Sequence, residues 1–177
     1  MVLSFGKDAQ TGNKRIVEAL ETLRSRTQTL YDAVKPEPSK LGIIGAGTIG
    51  AKAENVRMGI NSAAAAIKAT AKDNGGKLSD KEALEIHDFF QEKMINLIQE
   101  TLHRMSTVHY KRFCELGMGI PSVVKMALGW FVNSDKAFIA AWEGAVADEA
   151  ILKQVKEINT RILTMCEEAH AAYGGTK

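Results

Sequence analysis

A chain of 177 residues with 45% hydrophobic and 25% charged side chains is long enough for one sizeable core and too apolar to be disordered. Its net charge of +2, with Lys and Arg mixed among Asp and Glu, argues against a nucleic-acid partner, which would need a basic stripe. No run approaches the roughly 18 apolar residues of a membrane-spanning helix. The two cysteines, Cys114 and Cys166, fit no zinc or redox spacing.

Residues 1–12 read as a flexible N-terminal arm. The apolar start, Met1 to Phe5, runs at once into Gly6-Lys7-Asp8 and is too short for a secretory signal. As written the chain reads as cytoplasmic, or as secreted if it is a mature segment given a start methionine. From Asn13, residues Ile16, Leu20, Leu23, Leu30 and Val34 recur in threes and fours, with Thr27 filling the gap, which predicts an amphipathic helix ended by Pro36 and Pro38.

Residues 41–50 contain Gly45-Ala46-Gly47-Thr48-Ile49-Gly50, a Gly-x-Gly-x-x-Gly series after a short apolar run. Such a series opens dinucleotide-binding units when a second strand and an acidic residue follow about twenty residues on. Here that place is taken by Ser62 to Thr70, an Ala-rich stretch of strong helix formers, so the glycines are read instead as a flexible, small-residue helix start. Whether residues 41–52 are helix, strand or lid stays open at this level. The helix continues through Val56, Ile60, Ala64 and Ile67 to a turn at Asp73-Asn74-Gly75-Gly76.

Ser79-Asp80-Lys81-Glu82 then has the form of a capping box. Ala83, Ile86, Phe90, Met94, Leu97, Met105, Val108 and Leu116 follow at helical spacing up to Gly117, without an intervening Pro or Gly. A single helix over 80–116 would be roughly 55 Å long. Leu84, Ile95, Ile98, Leu102 and Phe113 widen its apolar face, so it needs neighbours on several sides and reads as the central helix of a bundle. Pro121 opens a short helix carrying Val123 to Phe131, and Asn133-Ser134-Asp135 is read as its break and as the cap of the next, which carries Phe138 and Trp142. Asp148 caps a final helix with Ile151, Val155, Ile158, Ile162, Met165, Ala169 and Tyr173 on one face. The expected fold is all-α: one bundle domain over 13–173 of about six helices around the 80–116 helix, with a tail at 174–177.

The four histidines are dispersed, and two Glu-x-x-His pairs, Glu100 with His103 and Glu167 with His170, face away from the apolar stripes where a di-metal site would need them. No metal and no cofactor are implied. The informative feature is an excess of large, soft side chains in the second half: Met94, Met105, Phe113, Met118, Met126, Trp130, Phe138 and Trp142. Methionines adapt to irregular surfaces, and ligand pockets are mostly apolar with few polar groups. These residues are the candidate lining of an apolar cavity, with His87, His109 or Arg112 as the polar handle. Cys166 lies on the seam of the last helix and reads as a buried thiol, a disulfide with Cys114 being the alternative.

The order of segments resembles the fungal hydrophobic-surface-binding protein A family, which includes the cell-wall galactomannoproteins. The likeness rests on Ile16 to Leu30, Glu82-Ala83 to Leu102, and Lys111-Arg112-Phe113-Cys114-Glu115-Leu116-Gly117. It continues through Val123-Val124 to Leu128, Lys136-Ala137-Phe138, and Ala171-Ala172-Tyr173. It spans about residues 13–173 through spaced apolar positions. The resemblance implies an all-α bundle with a long apolar tunnel or surface; members adsorb to hydrophobic surfaces and some capture fatty acids. Members are normally secreted, often with a Ser/Thr-rich tail. The chain as written is read as showing neither a signal nor such a tail, and its two cysteines and glycine series are departures from the family pattern.

The expected function is therefore binding of an apolar small molecule, a fatty acid or related hydrophobic metabolite, with a second copy of the chain, as a homodimer, an open option for a partner. One alternative is a cyclase or isomerase of secondary metabolism using the same cavity, with His87, His109 or Arg112 as acid or donor and catalysis from holding the substrate in reactive geometry. The other is a packed interaction module without a ligand.

Overall fold

The computed structural model describes residues 6–175, with side chains from residue 12 onward, so residues 1–5 of the expected arm and the last two of the tail lie outside the described residues. Helix α1 spans Gly6–Val34, beginning seven residues before the Asn13 start that the apolar spacing predicts. Its seam is the predicted one: Ile16, Leu20, Leu23, Leu30 and Val34 are buried, and Thr27 is buried among them with its hydroxyl donating to Leu23 O at 2.9 Å. A short 3-10 turn at Pro38–Lys40 leads into α2, Ile43–Asp73. The glycine series therefore lies in the first turns of a helix, and no strand forms among the described residues. The small side chains of α2 let it lie close to α1. A Cβ on Gly59 would come within 3.1 Å of Leu23 Cδ1 and 3.4 Å of Leu23 Cα.

The 80–116 stretch forms one rod of three α segments joined by two π-turns: α3 (Asp80–Phe89), π at Phe90–Met94, α4 (Ile95–His103), π at Arg104–Val108, and α5 (Tyr110–Leu116). The capping box is present at its start. Ser79 Oγ accepts from Glu82 N at 3.3 Å, while Glu82 Oε2 accepts from Ser79 N at 2.9 Å. Gly117, at φ +62°, ends the rod where the sequence placed it.

The π-turns correct the predicted register. Each widens one turn beyond the α-helical repeat, so the buried face drifts along the chain. Beyond Met94 the buried positions become Ile95, Thr101, Leu102, Met105, His109 and Phe113, while Leu97, Val108 and Leu116, which a constant 3.6-residue period puts at the centre, are only partly buried.

The second π-turn also meets the end of α1. His109 Nε2 donates to Val34 O at 2.7 Å and Arg104 Nη1 to Lys35 O at 2.9 Å, satisfying carbonyls that the end of a helix leaves unpaired. On its other side, Tyr173 Oη donates to Met105 O at 2.7 Å.

Helix α6 spans Ile120–Ala145 without interruption, so the break expected at Asn133-Ser134-Asp135 does not occur. Ser134 and Asp135 fall on the inner face of α6 and are buried there. Helix α7, Glu149–Ala172, starts at Asp148, whose Oδ1 accepts from Ile151 N at 2.8 Å. Packing runs in a ring: α1 against α2, α2 against α6, α6 against α7, α7 against the rod, and the rod against α1. This arrangement leaves a gap along the axis that every long element can reach.

Candidate functional site

The gap is a cavity lined from all five walls. Helix α1 contributes Leu23, Thr27 and Leu30, and α2 contributes Val56 and Ile60. The rod supplies Phe90, Met94, Ile98, Thr101 and Leu102; α6 supplies Phe131, Asp135, Phe138 and Ile139; α7 supplies Asn159, Ile162 and Cys166. As it stands the cavity is narrow, with a volume of only about 50 Å³. Small-molecule pockets usually offer about 300–1,000 Å³. An extended ligand must therefore part the walls. Phe90 and Met94, at the two ends of the first π-turn, both line the cavity, and π-turns recur at functional sites because the helix ladder is already interrupted there.

The lining is apolar except for one side. Asp135 Oδ2 accepts from Cys166 Sγ at 3.0 Å, and Asn159 Nδ2 donates to Glu143 Oε1 at 3.1 Å. Burial pushes the Asp135 carboxyl up to about 7, and the thiol hydrogen bond offsets this only in part. Burial, reinforced by the neighbouring Asp135 charge, pushes the Cys166 thiol well above its ordinary value. Cys166 is buried and free, and Cys114 is free on the surface, so the disulfide alternative is replaced by two thiols.

The predicted site residues divide into groups. Met94 and Phe138 line the cavity. Met105, Phe113 and Trp142 are fully buried but pack behind the wall, Trp142 against Phe90 and Phe138 with ring centroids 5.7 and 5.8 Å away. Met118 and Met126 are 82% and 48% exposed and do not line the cavity, because they lie on the outward side of the α5–α6 turn and of α6. Trp130 is partly buried at the surface, with the Arg57 guanidinium 5.7 Å above its ring.

None of the three polar candidates reaches the gap. His87 lies at the edge beside Asp88, 3.0 Å from its carboxylate. His109 is committed to Val34 O, and Arg112 Nε donates to Leu41 O at 2.9 Å, tying down the segment between α1 and α2. The polar residues that do line the cavity, Thr27, Thr101, Asp135 and Asn159, were absent from the predicted site. Their signal was available: each occupies a place in an apolar i, i+3, i+4 series on its own helix, where a polar residue must face the interior.

The fold and cavity together define a class of helical bundles whose walls enclose an apolar axial cavity. Two solved structures share the architecture. One is a crystal structure of Afmp4p in complex with palmitic acid, 16% identical with a TM-score of 0.78, covering 91% of this chain and 99% of that one. The other is ligand-binding domain 2 of the Penicillium marneffei MP1 protein complexed with multiple arachidonic acids, 14% identical with a TM-score of 0.69, covering 99% of this chain and all of that one, 100%. No protein-family model and no curated protein sequence matches the chain.

Proposed function

We propose that this chain is a non-catalytic binding protein for an apolar small molecule, a fatty acid or related hydrophobic metabolite, held in the cavity between α1, α2, α6, α7 and the rod. The observation that carries the reading is that every long element of the fold turns apolar side chains onto one axial gap. That the two structural neighbours carry palmitic and arachidonic acids supports the same reading, and it supports placing the chain with the hydrophobic-surface-binding proteins whose segment order it resembles. Met94 and Phe138 are the predicted residues retained in the binding wall.

The mechanism is transfer of an alkyl chain from water to the cavity, at about 0.8 kcal/mol per methylene, less the cost of separating the walls. Phe90, Met94, Phe131 and Phe138 form the aromatic and thioether part of that wall. A methionine among aromatics can follow a flexible chain without losing contact. The isomerase alternative assigned its acid–base groups to His87, His109 and Arg112. These are tied to Asp88, Val34 O and Leu41 O and do not line the cavity.

The test is a titration with palmitic acid followed by intrinsic tryptophan fluorescence. Trp142 stacks on Phe90, a lining residue, and so senses displacement of the wall. Saturable binding is expected for the wild type. Ile60→Phe, which adds volume inside the gap, is expected to weaken it by about tenfold or more through overpacking. Unchanged affinity in that variant would place the ligand elsewhere.

A further inference from the structure

The polar side of the cavity specifies the ligand's polar group. Asn159 is 1% exposed; its Nδ2 donates to Glu143 Oε1, which fixes the amide orientation, and its Oδ1 has no hydrogen-bond partner among the described residues. Buried polar atoms are normally paired, so such an oxygen asks for an explanation. Asp135 lines the cavity with it, its Oδ2 accepting the Cys166 thiol proton. Thr27 and Thr101 spend their hydroxyl protons on Leu23 O at 2.9 Å and Leu97 O at 2.6 Å. The hydroxyl and thiol protons on the wall are thus committed, and the buried polar atom left without a partner there is the Asn159 carbonyl oxygen. Among the described residues, no Lys, Arg or His lines the cavity.

An ionised carboxylate placed here would meet acceptors and a buried acid with no cation to offset its charge, which is the costly arrangement. A hydroxyl is the complementary group, because it brings a proton and no charge. We propose that the cavity takes an apolar molecule bearing a hydroxyl group, whose O–H donates to Asn159 Oδ1 beside Asp135, in preference to an ionised fatty-acid head. A simple fatty acid would then place its chain in the cavity and keep its charged head outside. The inference rests on the reading of the cavity as an apolar binding site and adds the chemistry of the ligand's polar group.

The experiment compares 1-hexadecanol with 1-methoxyhexadecane, both delivered from cyclodextrin and read by tryptophan fluorescence at pH 8, with palmitate as a third arm. The ether keeps the chain and the oxygen but has no proton to donate. Wild type is expected to bind the alcohol about tenfold more tightly than the ether, the usual size of one net hydrogen bond. In Asn159→Leu, close in volume, the preference is expected to vanish while ether affinity holds within about twofold. The wild-type comparison stands alone if that variant does not fold. Equal affinity of wild type for alcohol and ether, or a preference that survives in Asn159→Leu, would overturn the hydroxyl inference and leave the apolar site standing. Uptake of palmitate with neither neutral compound bound would do the same. Failure of all three to bind would overturn both.

Discussion

Replacing Asp135 by Asn tests how the buried acid is held in this bundle. Its carboxyl is pushed by burial from the ordinary 3.8 to about 7. The unfolded chain therefore gives up this proton near pH 4, and the folded chain keeps it until pH rises through about 7. Between those values the folded state binds the extra proton, so this group's contribution to stability is full below pH 4 and falls as pH increases. The slope is at most about 1.4 kcal/mol per pH unit, and across the whole window the loss approaches roughly 4 kcal/mol. The groups around Asp135 on the cavity wall do not compensate: Thr27, Thr101 and Asn159 are uncharged, and Cys166 supplies one thiol hydrogen bond. Asn at this position has almost the same shape and no proton to lose. Urea unfolding at pH 5 is expected to show the two proteins within about 1 kcal/mol of each other. At pH 8.5 the variant is expected to be more stable by about 3 kcal/mol. Stability profiles that run parallel from pH 5 to 8.5 would refute the assignment of Asp135 as a buried acid without a countercharge.

Three further substitutions separate the cavity wall from the rest of the core. Phe138→Ala removes a ring packed on Phe90 and Trp142, and is expected to destabilise by about 3–5 kcal/mol in calorimetry, with part of the loss recovered under saturating palmitic acid. His109→Phe keeps the contact with Phe113 but leaves Val34 O, at the fully buried end of α1, without its donor; chemical denaturation is expected to show a loss of about 1–3 kcal/mol. The same variant should bind palmitic acid as the wild type does, because His109 does not line the cavity. Met118→Lys alters a side chain that is 82% exposed. It is expected to change stability by less than about 0.5 kcal/mol and to leave affinity unchanged, and a large loss of binding would return Met118 to the site.

Much of the fold was legible because its signals are local. The α1 seam, the capping box at Ser79 and Glu82, the stop at Gly117 and the Asp148 cap each depend on a few adjacent residues. The course of the rod beyond Met94 was not, because a π-turn leaves no mark in the hydrophobic period until the next turns have drifted. That drift moved His109 from the edge of the stripe to full burial. His87, placed nearest the apolar centre, precedes both π-turns and lies at the edge beside Asp88.

Asp135 was misread for a related reason. Asn133-Ser134-Asp135 carries the composition of a helix break, yet residues 128, 131, 135, 138 and 142 share one buried face. The tertiary environment overrode the local preference: the aspartate is held within α6 by burial and by the Cys166 thiol across from it. The cavity itself needs all five walls, and its polar side joins residues far apart in the chain, such as Thr27 and Asn159, which no short spacing relates.

Native mass spectrometry of the purified protein, before and after incubation with palmitic acid and with 1-hexadecanol, tests the central claim most directly. Discrete, saturable adducts of the apolar molecule are expected, with solvent extraction releasing that compound intact and Ile60→Phe taking up markedly less. A bare protein mass under every condition, with no adduct from either compound, would contradict it and leave the axial gap as part of a packed core.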